Sequence, residues 1–216
     1  KLFREGALGR TFNIESRVHG SRGVPGDWRN TYRQGGGMIL DWGVHLLDQM
    51  LNMVEEDVIS TFYTVSHVTN DEVDDGFKTI LTFESGLTAH VEVGTSNFAS
   101  LPRWYMQGEN GTAIVEDWAL NGKIVMVSDW EKRDAVPVVT AAGLTKTMAP
   151  RTEETIKTYP LPKVESDVRD FYRNVRGAIL GEVKQLITHA QLMRVMRLME
   201  AMFRSAEMNE VVHTRI

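Results

Sequence analysis

The side chains best suited to chemistry lie in "GGGMILDWGVHLLDQM", residues 35–50. Apolar residues recur there with a helical period, which predicts a helix over about residues 38–53. At about 100° per residue, Asp41, His45 and Asp48 fall within a sector of about 60°, and most of the remaining arc is apolar. The pattern predicts a largely buried helix with one narrow polar stripe that faces something polar.

Histidine is the side chain whose ordinary pKa lies nearest neutrality, so it can exchange a proton with a hydroxyl while a bond changes at the neighbouring carbon. His45 is our candidate for that role. Asp41 lies one turn earlier, where it could orient the imidazole, stabilise its charged form or bind a substrate hydroxyl itself. The spacing suits a catalytic acid–base pair.

The residues before this helix are candidates for substrate binding. Gly36 and Gly37 have no Cβ and would let the backbone approach a ligand closely. Their N–H groups, at a helix N-terminus, could also hold partial negative charge on a substrate oxygen. In the preceding loop, Trp28 could stack on a polyhydroxylated ligand while Arg29 donates a fork of hydrogen bonds.

Structural explanations fit the same residues. A buried helix can carry such a stripe because its members hydrogen-bond neighbouring loops, and Asp48 is the member best suited to that role. Trp28 and Arg29 could pack on each other. A metal site is a third interpretation. His and Asp on one helix would need further ligands from elsewhere in the chain, and no second His/Asp cluster in the sequence supplies them. Spacing alone leaves these alternatives open.

Composition limits the class of protein. The chain has 216 residues, of which 42% are hydrophobic and 25% charged, as in an ordinary globular domain. The formal net charge of −5 and scattered basic residues argue against nucleic-acid and anionic-membrane partners. There is no cysteine, and no apolar run approaches a membrane span. With no signal-peptide pattern at its start, we expect a cytoplasmic protein.

The order of hydrophobic patterns predicts an α+β fold. A strand over about residues 10–19 precedes the helix, and residues 58–129 resemble an antiparallel meander with apolar residues on both faces. We therefore expect a largely antiparallel sheet of about six or more strands, with helices packed on one face and the other face available for oligomerisation. Residues 1–9 resemble the end of a helix, with Gly6 at its cap.

The last third of the chain combines an irregular excursion with two helices. Residues 130–163 hold four of the six prolines and predict one short strand, around residues 155–159. Thr188 and Gln191 form a capping-box pattern ahead of the last helix. Six residues of the helix before it stand at core spacing: Val168, Phe171, Tyr172, Val175, Ala178 and Ile179.

Three stretches together resemble the C-terminal domain of the glucose–fructose oxidoreductase / inositol dehydrogenase (Gfo/Idh/MocA) family. They are "GALGRTFNIESR", "DWRNTYRQGGGMILDWGVHLLDQM" with its glycines followed by D-x-G-x-H-x-x-D, and "MQGENGTAIVE". The middle stretch is the most specific. The resemblance extends over essentially the whole chain, except the excursion at 130–163.

The resemblance implies an NAD(P)-dependent oxidoreductase that moves hydride between a nicotinamide cofactor, NAD or NADP, and a sugar, polyol or related hydroxyl compound. It implies that His45 is the acid–base residue and Asp41 its substrate-orienting companion. It further implies a homodimer or homotetramer built through the open sheet face. Residues 1–216 would then be a single substrate-binding and oligomerisation domain of a larger protein.

The sequence also departs from a complete enzyme of this family. It lacks a G-x-G-x-x-G after a strand and the E-K-P motif, both of which belong to an N-terminal Rossmann domain. We therefore expect the cofactor to be bound mainly by that absent domain and this fragment to be inactive alone. Two other functions remain open: NAD-dependent glycoside hydrolysis on the same scaffold, and a non-catalytic dimerisation or ligand-sensing module.

Overall fold

The computed structural model describes residues 1–132, 138–146 and 150–216. Two single-turn 3₁₀ helices, Trp28–Asn30 and Tyr32–Gln34, and a π-helical turn, Ile39–Gly43, lie between the first strand and the first α-helix. The regular elements are β1 Thr11–His19, α1 Val44–Met53, β2 Val58–Ser66, β3 Gly76–Phe83, β4 Thr88–Gly94, β5 Trp104–Gly108, β6 Gly111–Val115, β7 Gly122–Val127, β8 Val138–Val139, β9 Thr145–Lys146, β10 Ile156–Pro160, α2 Val168–Ile179, α3 His189–Met208 and β11 Val212–His213.

Nine strands form one sheet in the order β10-β7-β6-β5-β1-β4-β3-β2-β11, and β8 pairs with β9 separately. Every neighbouring pair in the large sheet is antiparallel except β1 and β4, which are parallel. The predicted α+β fold with a largely antiparallel sheet is thus confirmed. The predicted simple meander is wrong in one respect, because β1 lies between β4 and β5 and separates two antiparallel halves.

Two helices cover one face of this sheet, here called the inner face. α1 and α3 pack on each other and on β1, β2 and β4. Burial of apolar side chains on both sides of this contact supplies the main stabilising term of the domain. The core includes Leu46, Leu47, Met50 and Leu51 of α1, Val195, Leu198, Met199 and Met202 of α3, and Ile14, Tyr63, Phe77, Leu81, Ala89, Val91 and Val93 of the sheet.

Among the described residues, no helix covers the opposite face of the central strands, here called the outer face. Charged residues occupy its middle: Arg17 pairs with Glu15, and its Nε lies 3.4 Å from Glu92 Oε2. Apolar residues lie around them, with Phe12 42% and Ile80 40% exposed. The outer face is therefore a mixed surface, in which an ion-pair network stands among partly exposed apolar side chains.

The second helix corrects the expectation drawn from its periodicity. Five of its six predicted core residues are exposed, from Val175 at 38% to Ile179 at 79%, and the only buried residue of α2 is Gly177. The apolar stripe is present, but α2 does not pack extensively on α1, α3 or the sheet. Periodicity shows that a helix has an apolar face and leaves open what covers it.

The capping-box prediction agrees with the structure, whereas the predicted end of a helix in residues 1–9 is formed by turns. The Thr188 side chain accepts from the Gln191 amide while the Gln191 side chain accepts from the Thr188 amide, which is a complete capping box. Gly6, at φ 62°, donates to the Phe3 carbonyl, and Ala7 donates to Leu2. These two bonds have the pattern of a helix C-terminus, although residues 2–8 form turns.

The excursion contains the strand that the sequence predicts, since β10 pairs with β7. The rest of it contributes the β8–β9 pair, and residues 133–137 and 147–149 lie outside the described residues. Among the helices of the described ranges, none has both the length and the apolar character that crossing a bilayer requires.

The contrast between α2 and α3 predicts different costs of truncation. Leu198 is fully buried between α1, α3 and the sheet, so Leu198→Ala should lower the free energy of unfolding by about 2–5 kcal/mol. Ile179→Ala, on the exposed face of α2, should change it by less than about 0.5 kcal/mol. Urea denaturation measures both, and a loss of several kcal/mol in Ile179→Ala would show that α2 packs on the core.

Candidate functional site

One aspartate fixes the start of the helix that carries Asp41 and His45, residues 39–53, here called the functional helix. Asp74, just before β3, accepts from the Met38 amide through its backbone carbonyl at 3.0 Å and from the Ile39 amide through Oδ2 at 2.9 Å. Burial raises the pKa of the Asp74 carboxyl, against these hydrogen bonds, which lower it. The helix N-terminus is thus joined to the sheet by a carboxylate of the protein itself.

The amides of the two candidate glycines have partners within the protein. The Gly36 amide donates to the Thr31 carbonyl and the Gly37 amide to the Arg29 carbonyl. The next two amides donate to Asp74. The loop and Asp74 thus already use the N–H groups of residues 36–39.

Gly36 and Gly37 are buried. Neither lines the open cleft that lies over the start of the helix. A Cβ on Gly36 would lie 2.3 Å from the Arg29 carbonyl oxygen. Gly37 has φ 107°, and a Cβ there would lie 2.2 Å from Asp74 Oδ1. The structure gives both glycines a packing role, and their contact with substrate stays a prediction.

An open cleft of about 930 Å³ lies over the start of the helix and the carboxyl ends of β1 and β4. Asp41, His45 and Arg29 all line it, together with Trp42 and the backbone around Gly94. Cavities of this size, with a few convergent polar groups, are typical of ligand sites. The sequence-predicted acid–base pair therefore faces open space and is not sealed in the core.

Arg29 connects the loop to the helix. Its Nε donates to Asp41 Oδ2 at 3.0 Å, and its Nη1 donates to Asp27 Oδ2 at 2.8 Å. The bond to Asp41 raises the pKa of the Arg29 guanidinium, which stays a cation. Its guanidinium carbon also lies 4.6 Å from the Trp28 ring centroid. The structure thus brings Arg29 and Asp41 together, while Trp28 stands outside the cleft lining.

His45 is exposed, and its ring centroid lies 6.3 Å from that of Trp42. Among the hydrogen bonds of the described residues, none joins His45 to Asp41. The helix begins with a π-helical turn, in which Val44 donates to Ile39, five residues back. This wider turn changes the angle per residue, so the 100° spacing does not hold before Val44. Leu40, an apolar residue within this turn, is 42% exposed.

The rest of the stripe faces a second groove. Asp48 and Asn52 line a smaller cavity with Gln191 and Arg194 of α3. Both are exposed, and Asn52 accepts from Arg4 at 2.7 Å through its carbonyl. Asp48 makes no such bond within the described residues, so the loop-bonding role proposed for it is not seen. The two ends of the polar side of the helix therefore line two different cavities.

Sequence reasoning missed three residues of this region. Trp118, in the turn between β6 and β7, lines the cleft, and its ring centroid lies 5.6 Å from that of Trp42. The Arg103 guanidinium carbon lies 3.4 Å from the centroid of the Trp118 ring. These residues come from segments 50 or more positions from the end of the helix at Met53, and nothing in their local patterns predicts the contact.

His19, at the end of β1, is the third, because the sequence analysis does not single it out and the structure buries its side chain. Its side chain is 2% exposed and lines the cleft. Nδ1 accepts from the Leu101 amide at 3.3 Å, and Nε2 lies 3.4 Å from a Glu92 oxygen without a hydrogen bond of good geometry. In the described ranges, no three His, Cys, Asp or Glu residues lie together in a group that could hold a metal ion.

Comparison with known proteins identifies the class to which this site belongs. The profile of the GFO/IDH/MocA C-terminal domain matches residues 1–114, more than half of the chain. The chain therefore belongs to the Gfo/Idh/MocA family, with the fold of its C-terminal domain. A search of curated protein sequences gives no match.

Solved structures give closer individual comparisons. An NAD-binding protein from Listeria innocua is 45% identical over 99% of this chain, with a TM-score of 0.93. An oxidoreductase from Bacillus cereus (15% identical, TM-score 0.74, 100% of this chain) and an aldose-aldose oxidoreductase from Caulobacter crescentus complexed with glycerol (19%, 0.70, 99%) share the fold. The chain spans 62%, 62% and 58% of those chains, respectively.

The close contact at Gly37 predicts a specific sensitivity. Gly37→Ala should lower the free energy of unfolding by about 1–3 kcal/mol, because it strains a positive φ and displaces the Asp74 carboxylate. Gly26→Ala is the matched control in the same loop, since its Cβ meets nothing within 4 Å. Thermal unfolding measures both, and equal stability of the two variants would contradict the packing role.

Proposed function

We propose that this chain is the substrate-binding, proton-exchanging domain of a nicotinamide-dependent oxidoreductase that acts on a sugar, polyol or related hydroxyl compound. The observation that carries the proposal is the grouping of Asp41, His45 and Arg29 on one wall of an open cleft. Family membership and the description of the Listeria relative as NAD-binding support the class of reaction.

His45 is the proton-exchanging residue in this proposal. Its imidazole is exposed to the cleft, and no side chain of the described residues engages it in a hydrogen bond, so a substrate hydroxyl can reach it. As the carbon gives up hydride, the hydroxyl proton passes to the imidazole and the C–O bond becomes a carbonyl. In the reverse direction His45 returns the proton to the oxygen.

Asp41 positions the substrate, with Arg29 as its support. Arg29 engages Oδ2, and Oδ1 accepts no hydrogen bond from the described residues. Oδ1 is therefore available to a second hydroxyl of a polyhydroxylated substrate. The Arg29 cation beside it also favours negative charge on oxygen nearby. In this proposal the Arg29–Asp41 pair orients the substrate and His45 exchanges the proton.

The glycines before the helix, within the described part of the chain, do not form a cradle for the dinucleotide. Gly36 and Gly37 are packed against Arg29 and Asp74, and their amides are already bonded, so a pyrophosphate finds no free nest there. We propose that a Rossmann domain elsewhere in the full-length protein binds NAD or NADP, which supplies the hydride acceptor. The isolated chain is then inactive, and saturable NAD⁺ or NADP⁺ binding to it in calorimetry would contradict this division.

We also propose that the outer face of the sheet joins a second copy of the chain, giving a homodimer or homotetramer. Support comes from the partly exposed Phe12 and Ile80, which flank an ion-pair network on an open sheet face. A single-chain mass in light scattering at high concentration would contradict this assembly. Neither nucleic acid nor membrane is a partner in this proposal, and the cytoplasm is its location.

Replacing the imidazole tests the proposed chemistry. In the full-length protein, His45→Ala should lower kcat at least about a hundredfold, because general acid–base catalysis contributes about that much or more. His213→Ala is the control, since it removes an exposed imidazole from the edge strand β11. Steady-state kinetics with inositols, hexoses and amino sugars, and with both cofactors, provide the measurement. Near-normal turnover in His45→Ala would refute the role.

A further inference from the structure

An apolar surface of the domain lacks a covering partner among the described residues. It comprises the apolar face of α2 and part of the connection that follows, residues 180–187, with Tyr172 65% and Leu186 68% exposed. Apolar side chains grouped in this way on a protein surface mark a place where another body binds. We call this the α2 surface; its members are Phe171, Tyr172, Val175, Ile179, Leu186 and Ile187.

The helix that carries this surface needs support from outside. α2 has 12 residues, and a helix of that length is marginal in water unless one face is packed. Asp167 caps its first turn by accepting from the Arg169 amide, and Arg173 pairs with Asp170. Exposed ion pairs of this kind add little. A stable α2 therefore requires that its apolar face be buried against another body.

α2 and the connection after it form one unit. The Asn174 side chain donates to the Lys184 carbonyl at 2.9 Å and accepts from the Leu186 amide at 3.0 Å. Gly177 lies against Val183, since a Cβ on this glycine would lie 2.8 Å from Val183 Cγ2. These contacts use the side of α2 opposite its apolar face. The apolar face is therefore left for a partner.

The α2 surface continues into the groove beside the functional helix. Leu186 and Ile187 line that cavity of about 320 Å³ together with Asp48 and Asn52. Asp48 stands three residues after His45, which is about 4.5 Å along a helix axis. A body that covers the α2 surface and enters the groove therefore contacts the same helix that lines the cleft.

The start of this domain lies at the same groove. Arg4 Nη2 donates to the Asn52 carbonyl at 2.7 Å, and Asn52 lines the groove. The Glu5 amide donates to the Lys1 carbonyl, four residues back, as in an α-helical turn. The Listeria relative is longer than this chain, which spans 62% of it. In the full-length protein proposed above, polypeptide that precedes Lys1 therefore reaches the domain beside the α2 surface.

A second copy of the chain is a less suitable occupant. The proposed assembly uses the outer face of the sheet, whereas α1 and α3 form the walls of the groove and cover the inner face. A copy bound to the outer face thus leaves the α2 surface in water. The position of the surface favours a body from the same polypeptide.

We propose that the α2 surface is the docking surface for the cofactor-binding domain of the full-length protein, and that this contact sets the position of the cofactor relative to His45. This inference rests on the proposed function. The surface is separate from the cleft, because none of its six residues lines the cleft. Its residues are positioning residues and take no part in proton exchange.

Thiol labelling of the full-length protein tests the contact. Residues 1–216 contain no cysteine, so Tyr172→Cys places a single thiol of this domain on the α2 surface. Leu144→Cys is the matched control, since Leu144 is 71% exposed and lies next to β9, away from α2. A maleimide, followed at each site by peptide mass, should modify Tyr172→Cys at least about tenfold more slowly than Leu144→Cys, because a covered site reacts only when the contact opens.

Turnover tests the positioning role. In the full-length protein, Tyr172→Asp should lower kcat at least about tenfold, because small displacements of reacting groups cost this much or more. The Kd of NAD⁺ or NADP⁺ should not change, since the cofactor-binding domain itself is unaltered. Leu144→Asp should change neither quantity. Normal kcat in Tyr172→Asp, or a loss of cofactor affinity alone, would overturn the positioning role.

Equal labelling rates at the two cysteines would overturn the docking surface. So would slow labelling of Tyr172→Cys that becomes fast when the protein is diluted to single chains, because a second copy would then be the occupant. Labelling requires neither cofactor nor turnover. Slow labelling in a protein without dehydrogenase activity would therefore uphold the contact while the proposed function failed, and fast labelling in an active enzyme would refute the contact alone.

Discussion

The site depends on the bond between a carboxylate and the start of a helix. Asp74 lies in the β2–β3 connection. It accepts hydrogen bonds from the first amides of the π-helical turn, through both its backbone carbonyl and its side chain. This cap compensates the positive end of the helix dipole, and it also joins the helix to the strand that contributes Phe77 and Leu81 to the core. Because Asp74 fixes the N-terminus of the helix, it also fixes the side toward which the polar stripe faces.

The polar and apolar sides of the helix then have separate roles. Leu46, Leu47 and Met50 pack beneath it and fix its rotation, so the exposed side can carry groups that contribute little to folding. Arg29, in the loop before the helix, adds a second restraint because it donates hydrogen bonds to both Asp41 and Asp27. A carboxylate that orients a substrate benefits from being held in place beforehand, because no free energy is then spent on reorganising it when the substrate binds.

The sequence predicts most of this arrangement where the signal is local. Period 2 and period 3.6 patterns identify β1, the functional helix and α3, and the Thr188–Gln191 pattern identifies a real capping box. The parallel pairing of β1 with β4 is not local, because Ile14 meets Ala89 across 75 positions, and an alternating pattern does not specify its partner strand. For the same reason the apolar face of α2 predicts a helix correctly and its burial wrongly.

Within the site, the same distinction holds. Asp41 and His45 are predicted correctly as cleft residues because they are close in sequence, whereas the bond from Arg29 to Asp41 and the contact of Trp118 with Trp42 depend on how distant segments meet. The glycines show a different limit. A run of glycines signals a close approach, and only the structure shows that atoms of Arg29 and Asp74 make this approach at Gly36 and Gly37.

The most direct test of the central claim is a crystal structure of the full-length protein with its nicotinamide cofactor and a bound substrate. If His45 exchanges the proton, the reacting hydroxyl oxygen lies about 2.6–3.2 Å from a ring nitrogen of His45, with a neighbouring hydroxyl bonded to Asp41. A substrate whose reacting carbon lies beside the nicotinamide but beyond hydrogen-bonding reach of His45, with no water between them, would contradict it.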